Sequence, residues 1–547
     1  MVQGVWWRRA LGRMLGVNTR RYRAARVVGR PLLRVVRALT GREKVVVPEE
    51  VTAVLAVDER RAFPRNYLPQ SLAALGLDLR GDESFEDVLV IVVDETSHAP
   101  KIEAINASVA SSTATWLCVL DVAVSNIERA AVLSVLRSRA QADDDVVFAD
   151  EAGALPEAPI LKSPAVGAHT LLSYNVVGRP ALIRADSLRR LGGFSPDAGW
   201  AFEHDAYLRL HEAGARFRHV ALVLPGGRPA ATFTSEDLDV DTLYVVRAAL
   251  ARRGWGEDVV ARETPGVVRW RPPVPSPKPR IDIIIPTRDR LDLVRQCLSA
   301  IESLTTYPNY DVILLDNDSI EADTLAFFES TSYRVVRCPG PFNYAAIVNR
   351  GVAHSQADYV LTLNNDTIVI TPDWLEQMVA LACLPDVSFV GACLLDRDGT
   401  REHESIVIAP YPQHLRTDSN YPHADQFAAA TRDVAAVTGA VQMVRREIWN
   451  ELGGMDEQLK VVMNDVDICL RSQEESRYVV YTPDVRLYHH VSSSRGTLDP
   501  LDDRNRFIRR WDIFGSFRDP FFAESLLLLG ETMYYRHREI APNSKGR

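Results

Sequence analysis

Residues 281–319 read IDIIIPTRDRLDLVRQCLSAIESLTTYPNYDVILLDNDS, and this stretch decides the fold. Ile281–Pro286 is an apolar run short enough for a buried strand. Val294, Cys297, Leu298 and Ile301 then recur on one face of a helix. Val312–Leu315 is a second apolar run, closed by the polar turn Asp316-Asn317-Asp318-Ser319. Strand, helix and strand at these lengths predict a parallel sheet covered by helices. In such a sheet ligands bind beyond the carboxyl ends of the strands.

The pattern recurs upstream of a stiff, Pro-rich stretch, Arg271–Arg280 (RPPVPSPKPR). Val51–Val57 parallels the first strand, a helix near Leu72–Leu75 follows, and Val88–Val93 leads into Asp94-Glu95-Thr96-Ser97. Ala104–Asp121 parallels Ala346–Asn364, and Ser187–Leu224 (with LRRLGGF and EHDAYLRL) parallels Glu447–His490 (with WNELGGM and NDVDICLR). The 547 residues therefore hold two copies of one α/β unit, each of about 200 residues. The expected organisation is a basic arm over 1–47, a first copy over 48–228 and a helical and Pro-rich linker over 229–279. A second copy over 280–500 and a helical tail over 501–547 complete it.

Composition narrows the function. At 46% hydrophobic and 25% charged residues the chain is neither mostly disordered nor fibrous. No apolar run reaches the length of a membrane-spanning helix. The net charge of −9 conceals an asymmetry: residues 1–44 carry 12 Lys/Arg and one acid, so the remainder carries −20. A body that acidic is a poor nucleic-acid binder. Six scattered cysteines without a C-x-x-C suit a reducing compartment. With no signal-peptide pattern at the N-terminus, the expected location is the cytoplasm. In the arm, Trp6, Trp7, Ala10, Leu11, Met14 and Leu15 share a helical spacing interleaved with Arg8, Arg9 and Arg13. Such a helix fits an anionic membrane surface, making the protein peripheral at the inner face of the cell membrane. The alternative is a basic tail docked on the acidic body.

Chemistry gathers in the second copy. Pro286-Thr287 and Asp316-Asn317 close two strands, and a third, Tyr359–Leu363, ends in Asn364-Asn365-Asp366-Thr367. A carboxylate and an amide oxygen two residues apart can hold a divalent metal, although Asn-Asn-Asp is also ordinary turn chemistry. Asn464-Asp465-Val466-Asp467 opens a helix, where acids also favour the helix dipole. His489-His490 follows the strand Tyr478–Tyr481. Acid, acid and histidine at successive sheet ends can converge on one cleft.

Residues 280–500 resemble the inverting family 2 glycosyltransferases of the GT-A fold, especially bacterial enzymes building surface polysaccharides. The resemblance rests on IDIIIPTRDR, VILLDNDS, FNYAAIVNRG, YVLTLNNDT, VTGAVQMVRREIWNELGGMDE, NDVDICLR and YTPDVRLYHHVSSSRG. It implies two GT-A-like domains in tandem behind an amphipathic helical arm. It also implies an Mn²⁺ or Mg²⁺ cofactor held by Asp366, with Asn364 in the place of the family's first acid and His489 completing the shell. Asp465 matches the general base, while Asp467 orients the helix start. Pro286, Thr287, Asp316, Asn317, Asn343, Asn349 and Asn365 fall where the family binds the nucleotide-sugar donor. The acceptor implied is a cell-envelope glycan, free or polyprenyl-linked. Arg397–Ala436, with His403, Tyr411, His414, Tyr421 and His423, shows no element pattern and falls on the acceptor side or forms a surface loop. Trp374 is a further candidate there. Asn364 and Asn464 both stand where the family commonly has acids.

The first copy looks degenerate. Asp121 stands opposite Asn364, but Ala123 stands opposite Asp366, so the metal carboxylate is missing. Glu203-His204-Asp205 aligns with Asp465-Val466-Asp467. Two other classes compete with an enzyme of this kind. One is a non-catalytic glycan-binding scaffold, which need not keep Asp366, Asp465 and His489 in one cleft. The other is a nucleotidyltransferase, which needs a Gly-rich loop that Pro286–Leu291 lacks.

Overall fold

The computed structural model describes residues 85–93, 100–152, 160–226, 235–416, 424–490, 500–524, 526–529 and 532–535. The basic arm, the expected elements at Val51–Val57 and Leu72–Leu75, Asp94–Ser97, Tyr421 and His423 lie outside them. Among the described residues no helix is long and apolar enough to cross a membrane.

In the N-terminal half five strands form one sheet. They are β1 (Val88–Val93), β2 (Trp116–Asp121), β3 (Val146–Glu151), β4 (Ala181–Arg184) and β5 (Phe217–Leu224), in the order β1-β2-β4-β3-β5. A small hairpin of β6 (Val259–Ala261) and β7 (Val268–Trp270) precedes the linker. The C-terminal half begins with β8 (Ile281–Thr287), β9 (Tyr310–Asp316), β10 (Arg334–Arg337), β11 (Tyr359–Leu363) and β12 (Thr367–Val369). It continues with β13 (Val387–Leu395), β14 (Arg401–His403), β15 (Ser405–Ile408), β16 (Pro412–Leu415), β17 (Arg432–Asp433), β18 (Val441–Arg445) and β19 (Tyr478–His489). Its main path runs β10-β9-β8-β11-β18-β13-β19-β12, with β14 on β13 and β17 on β19.

The two sheets share a plan. In β8-β11-β18-β13-β19 successive pairings are parallel, antiparallel, antiparallel and parallel. The same series describes β1-β2-β4-β3-β5. The expected parallel sheet is thus found in part: each half has parallel pairs and a central antiparallel strand. The alignment of the copies is corrected. Val88–Val93 pairs directly with β2, the place that Ile281–Thr287, not Val312–Leu315, takes beside β11. Among the described residues one helix, Ile102–Ser111, lies between β1 and β2, whereas β9 and β10 with their helices intervene between β8 and β11.

One device recurs in both halves. Asn349 on the helix Tyr344–Ala353 accepts the Met455 N–H and donates to the Met455 carbonyl, at 2.9 Å each. Asn106 does the same to Phe194 at 2.9 and 2.8 Å. The residue before each, Gly454 at φ +74° and Gly193 at φ +87°, has no room for a Cβ, which would sit 2.5 or 2.6 Å from the amide oxygen. Arg471 then bonds Asp467 and the carbonyls of Leu452 and Gly454. Arg209 bonds Asp205 and the carbonyls of Leu191 and Gly193.

The linker is a joint. The helix Ser235–Arg252 buries Val245, Val246, Ala249 and Leu250 in a core shared with Phe202, Trp270, Val387 and Val480. The tail is not wholly helical, because Leu501–Trp511 is followed by a hairpin of β20 (Leu526–Leu529) and β21 (Thr532–Tyr535). A polar contact sits inside the apolar joint. Asp433 accepts the backbone N–H groups of His169 and Thr170 at 2.9 Å and the Thr170 hydroxyl at 3.1 Å. Its other oxygen meets His169 Nδ1 at 2.7 Å. The carboxylate thereby caps the short helix Ala168–Ser173, and Gly167 is where a Cβ would overlap it at 2.0 Å. The His169 ring stacks with Trp255 and Trp270 and meets Tyr478 edge-on.

Burial disfavours the charged imidazole of His169, but Asp433, backed by Asp386, outweighs both burial and nearby Arg253 and raises its pKa. Burial likewise works against the Asp433 carboxylate, and His169 and Thr170 more than offset it, so its pKa is lowered. A raised histidine stabilises fully below its unfolded pKa and ceases to as pH climbs through the folded value; a lowered aspartate ceases to as pH falls. Stability from this pair is therefore greatest between the ordinary carboxylate and imidazole ranges. In urea melts over about pH 6 to 9 we expect wild-type stability to decline and Asp433→Asn to flatten that decline. An unchanged slope in the variant would place the titration elsewhere. Asp433→Ala is expected to cost about 3–5 kcal/mol.

Candidate functional site

The carboxyl ends of β8, β9 and β11 form one edge of the site. Thr287 is buried; its carbonyl accepts the Asn317 N–H at 2.9 Å and its hydroxyl accepts from the Asn365 amide at 2.9 Å. Pro286 lies beside Leu315 in the ladder. Asp316 is fully buried, accepting the Ser319 N–H at 2.9 Å and pairing with Arg337. The following loop is braced by Asp289, which accepts the N–H groups of Ile320 and Glu321. Asp289 and Arg290 both have φ +50°, a left-handed conformation that side chains seldom adopt and that is often kept at functional loops.

Asn364 makes the turn expected of it, its carbonyl accepting the N–H and hydroxyl of Thr367. Asp366 is 5% exposed, and its Oδ1 is buried without a hydrogen-bond partner. That oxygen lies 3.5 Å from His489 Nε2, and the Asn364 amide nitrogen is 3.4 Å from the same ring atom. The pairing of Thr367 with His489 in β12–β19 and the His490 N–H bond to the Asp366 carbonyl place these residues together. Strand β19 runs unbroken from Tyr478 to His489, longer than the expected Tyr478–Tyr481. Among the described residues no three His, Cys, Asp or Glu side chains make a complete ligand set. Asp366 and His489 provide two positions beside one amide, which fits a cation whose remaining oxygens come from a ligand.

His489 has a second partner that the sequence did not single out. Glu402, on β14, places Oε2 3.2 Å from His489 Nδ1. Burial works against the charged ring, yet Asp366 and Glu402 together raise its pKa to about 9. Glu402 occurs in REHES, within the segment read as having no elements. That reading is corrected: the region contains β14, the β15–β16 hairpin, the helix Ala424–Ala429 and β17, strands too short to show a period.

The base candidates separate clearly. Asp465 is half-exposed near the start of the helix Asn464–Glu474; its Oδ2 accepts the Gly439 N–H and its Oδ1 the Val466 N–H, both at 2.9 Å. The next residue, Ala440, accepts the Asn364 N–H, so Asp465 and the β11 turn share one backbone step. Asp467 is fully buried and bonded to Arg471 and the Trp511 indole, with Arg510 at 3.3 Å. Its counterpart Asp205 has the same Arg209 bond in the other half. Asn464 is also structural: buried, it donates to the Leu459 carbonyl, so an amide suits that position better than an acid.

Four expected site residues have other roles. Asn343 caps the helix Tyr344–Ala353 and donates to the Glu457 carbonyl, and Asn349 is committed to Met455, so neither amide is directed to a donor. Trp374 is core, fully buried with its indole on the Thr305 hydroxyl. His403 is buried against His414, with their Nδ1 atoms 2.9 Å apart; burial, then His414 and His489, hold its pKa well below the ordinary value. In the N-terminal half, Glu203 at the base position is buried in an ion pair with Arg179 at 2.6 Å.

A mixed α/β sheet with acids, amides and a histidine at its strand ends places the chain among α/β proteins with a polar cleft at the sheet edge. The model of the Glycosyl transferase family 2 matches residues 282–453. Residues 282–453 thus carry a domain similar to this family. It is 32% identical over 474 residues to an uncharacterized protein of Sinorhizobium fredii, covering 81% of this chain and 52% of that one. It is 32% identical over 412 residues to the O-antigen biosynthesis protein RfbC of Myxococcus xanthus, covering 71% and 32%. An N-acetylglucosaminyl-diphospho-decaprenol L-rhamnosyltransferase of Mycobacterium tuberculosis matches 36% of this chain and 71% of its own length at 24% identity. The chain thus spans about half and about a third of the first two relatives. Among solved structures, GalNAc-T7 with UDP, GalNAc and Mn²⁺ aligns at 13% identity and TM-score 0.36, over 43% of this chain and 48% of that one.

Substitution should separate the two aspartates. Asp467→Asn leaves one acceptor oxygen in place of two for Arg471 and Trp511, removes the charge opposite Arg471, and is expected to lower stability by about 3 kcal/mol and with it the denaturation midpoint. Asp465→Asn is expected to leave the midpoint near wild type while lowering sugar transfer about 10²–10⁴-fold. Near-wild-type transfer in Asp465→Asn, with loss in a folded Asp467→Asn, would reverse the assignment.

Proposed function

We propose that the C-terminal half is an inverting glycosyltransferase, moving a sugar from a nucleotide-sugar donor to a cell-envelope or surface-polysaccharide glycan. The observation that carries this reading is the orphaned Asp366 oxygen beside His489, with half-exposed Asp465 held one backbone step away. Asp366 and His489, with Asn364 alongside, would hold a divalent cation, Mn²⁺ or Mg²⁺. Such a cation supplies Lewis-acid stabilisation of the leaving nucleoside diphosphate. Thr287, Asp316, Asn317 and Asn365 form the polar strand ends against which the donor nucleotide would lie.

Asp465 takes the proton of the acceptor hydroxyl as its oxygen bonds the anomeric carbon and the bond to the diphosphate breaks. One displacement inverts the configuration. The Gly439 and Val466 N–H groups hold its carboxylate in one orientation at the helix start. The names of the O-antigen and decaprenyl-linked relatives support a glycan acceptor, including a lipid-linked one. The +11 charge of residues 1–44 supports work at an anionic membrane surface.

The test is nucleoside diphosphate release from a panel of sugar nucleotides with a glycan acceptor, with and without Mn²⁺. We expect release with at least one donor, dependence on the metal and loss in Asp366→Ala. A folded wild-type protein that releases none would support the scaffold reading instead. For the arm, we expect sedimentation with anionic liposomes to be lost on deleting residues 1–44; binding that survives the deletion rules the arm out.

A further inference from the structure

We propose that Glu402 is a positioning residue for the cation site, fixing the tautomer and the plane of the His489 ring. This rests on the metal-assisted reading above. An imidazole that binds a cation through one nitrogen must carry its proton on the other, and an acceptor for that proton holds the ring in place. Glu402 Oε2, 3.2 Å from Nδ1, is such an acceptor, and it turns Nε2, the nitrogen that would meet a cation, to the side where the Asp366 oxygen lies 3.5 Å away.

The backbone delivers Glu402 for this purpose. Strand β14 folds back on the end of β13, pairing His403 with Leu394 and Arg401 with Leu395 across a register shift. Strand β13 also pairs with β19, setting Leu395 beside Tyr488, next to His489. The Glu402 side chain is 8% exposed and that of His489 11%, so water does not readily replace the contact. The Glu402 carbonyl is itself held by Arg416 Nε at 3.0 Å. The neighbouring His403–His414 pair does not compete, since each Nδ1 is directed at the other. In the N-terminal half, β5 ends at Leu224, where there is no histidine to orient.

The test is Mn²⁺ binding by titration calorimetry, alone and with UDP, GDP or dTDP, for wild type, Glu402→Ala, Glu402→Gln and His489→Ala. Thermal melts of each variant accompany it. We expect Glu402→Ala to weaken Mn²⁺ about 10–100-fold, and Glu402→Gln, which keeps an acceptor oxygen, to recover part of that affinity. Adding Glu402→Ala to His489→Ala should cause no further loss. A Glu402→Ala protein that melts lower yet binds Mn²⁺ as tightly as wild type would overturn the positioning role and leave the transferase reading standing. Wild type that binds no Mn²⁺ under any of these conditions would overturn both.

Discussion

Asp433 has no water to turn to, and the joint between the halves follows from how that is met. Its two oxygens receive two backbone N–H groups, a hydroxyl and an imidazole from the other half of the chain. Strand β17, which carries Asp433, pairs with β19, and β19 ends at His489. The position of the histidine at the site is therefore tied, through one strand pairing, to a carboxylate that depends on the N-terminal half. Trp255 and Trp270, from the linker, close over the contact and keep its dielectric low.

The C-terminal site shows a division of labour between neighbouring acids. Asp465 and Asp467 are two residues apart on one helix and point to different surroundings. One is half-exposed over Gly439; the other is buried under Arg471 and Trp511. The tail helix Leu501–Trp511 supports this arrangement, since Asp503 also accepts the N–H groups of Val461 and Val462 just before the helix start. The buried aspartate absorbs the structural demand and leaves the other without an ionic partner in the described contacts.

Long elements were legible from residues alone. Ile281–Pro286, Tyr359–Leu363 and the helix face of Val294, Cys297, Leu298 and Ile301 are found as expected, because each is buried by its own period. Asp366, Asn364 and His489 also come together as the strand ends implied. What escaped depends on tertiary contact. Glu402 sits on a three-residue strand with no period to announce it. Asn343 and Asn349 have the chemistry of ligand amides, but the loop at 455–457 claims both. Matching DETS to DNDS misaligned the copies, since a short polar turn carries less information than the ladder beside it.

The repeated Asn–Gly–Arg–Asp device makes the chain its own control. Both halves keep the asparagine clamp, the left-handed glycine and the arginine that spans two carbonyls. Among the described residues, the C-terminal half sets a partnerless Asp366 oxygen beside His489, while the N-terminal half has shut its Glu203 into a pair with Arg179. Features present twice mark what the architecture requires, and those present once lie outside that shared requirement. A single molecule therefore sorts its own residues into inheritance and employment, without a second sequence to consult.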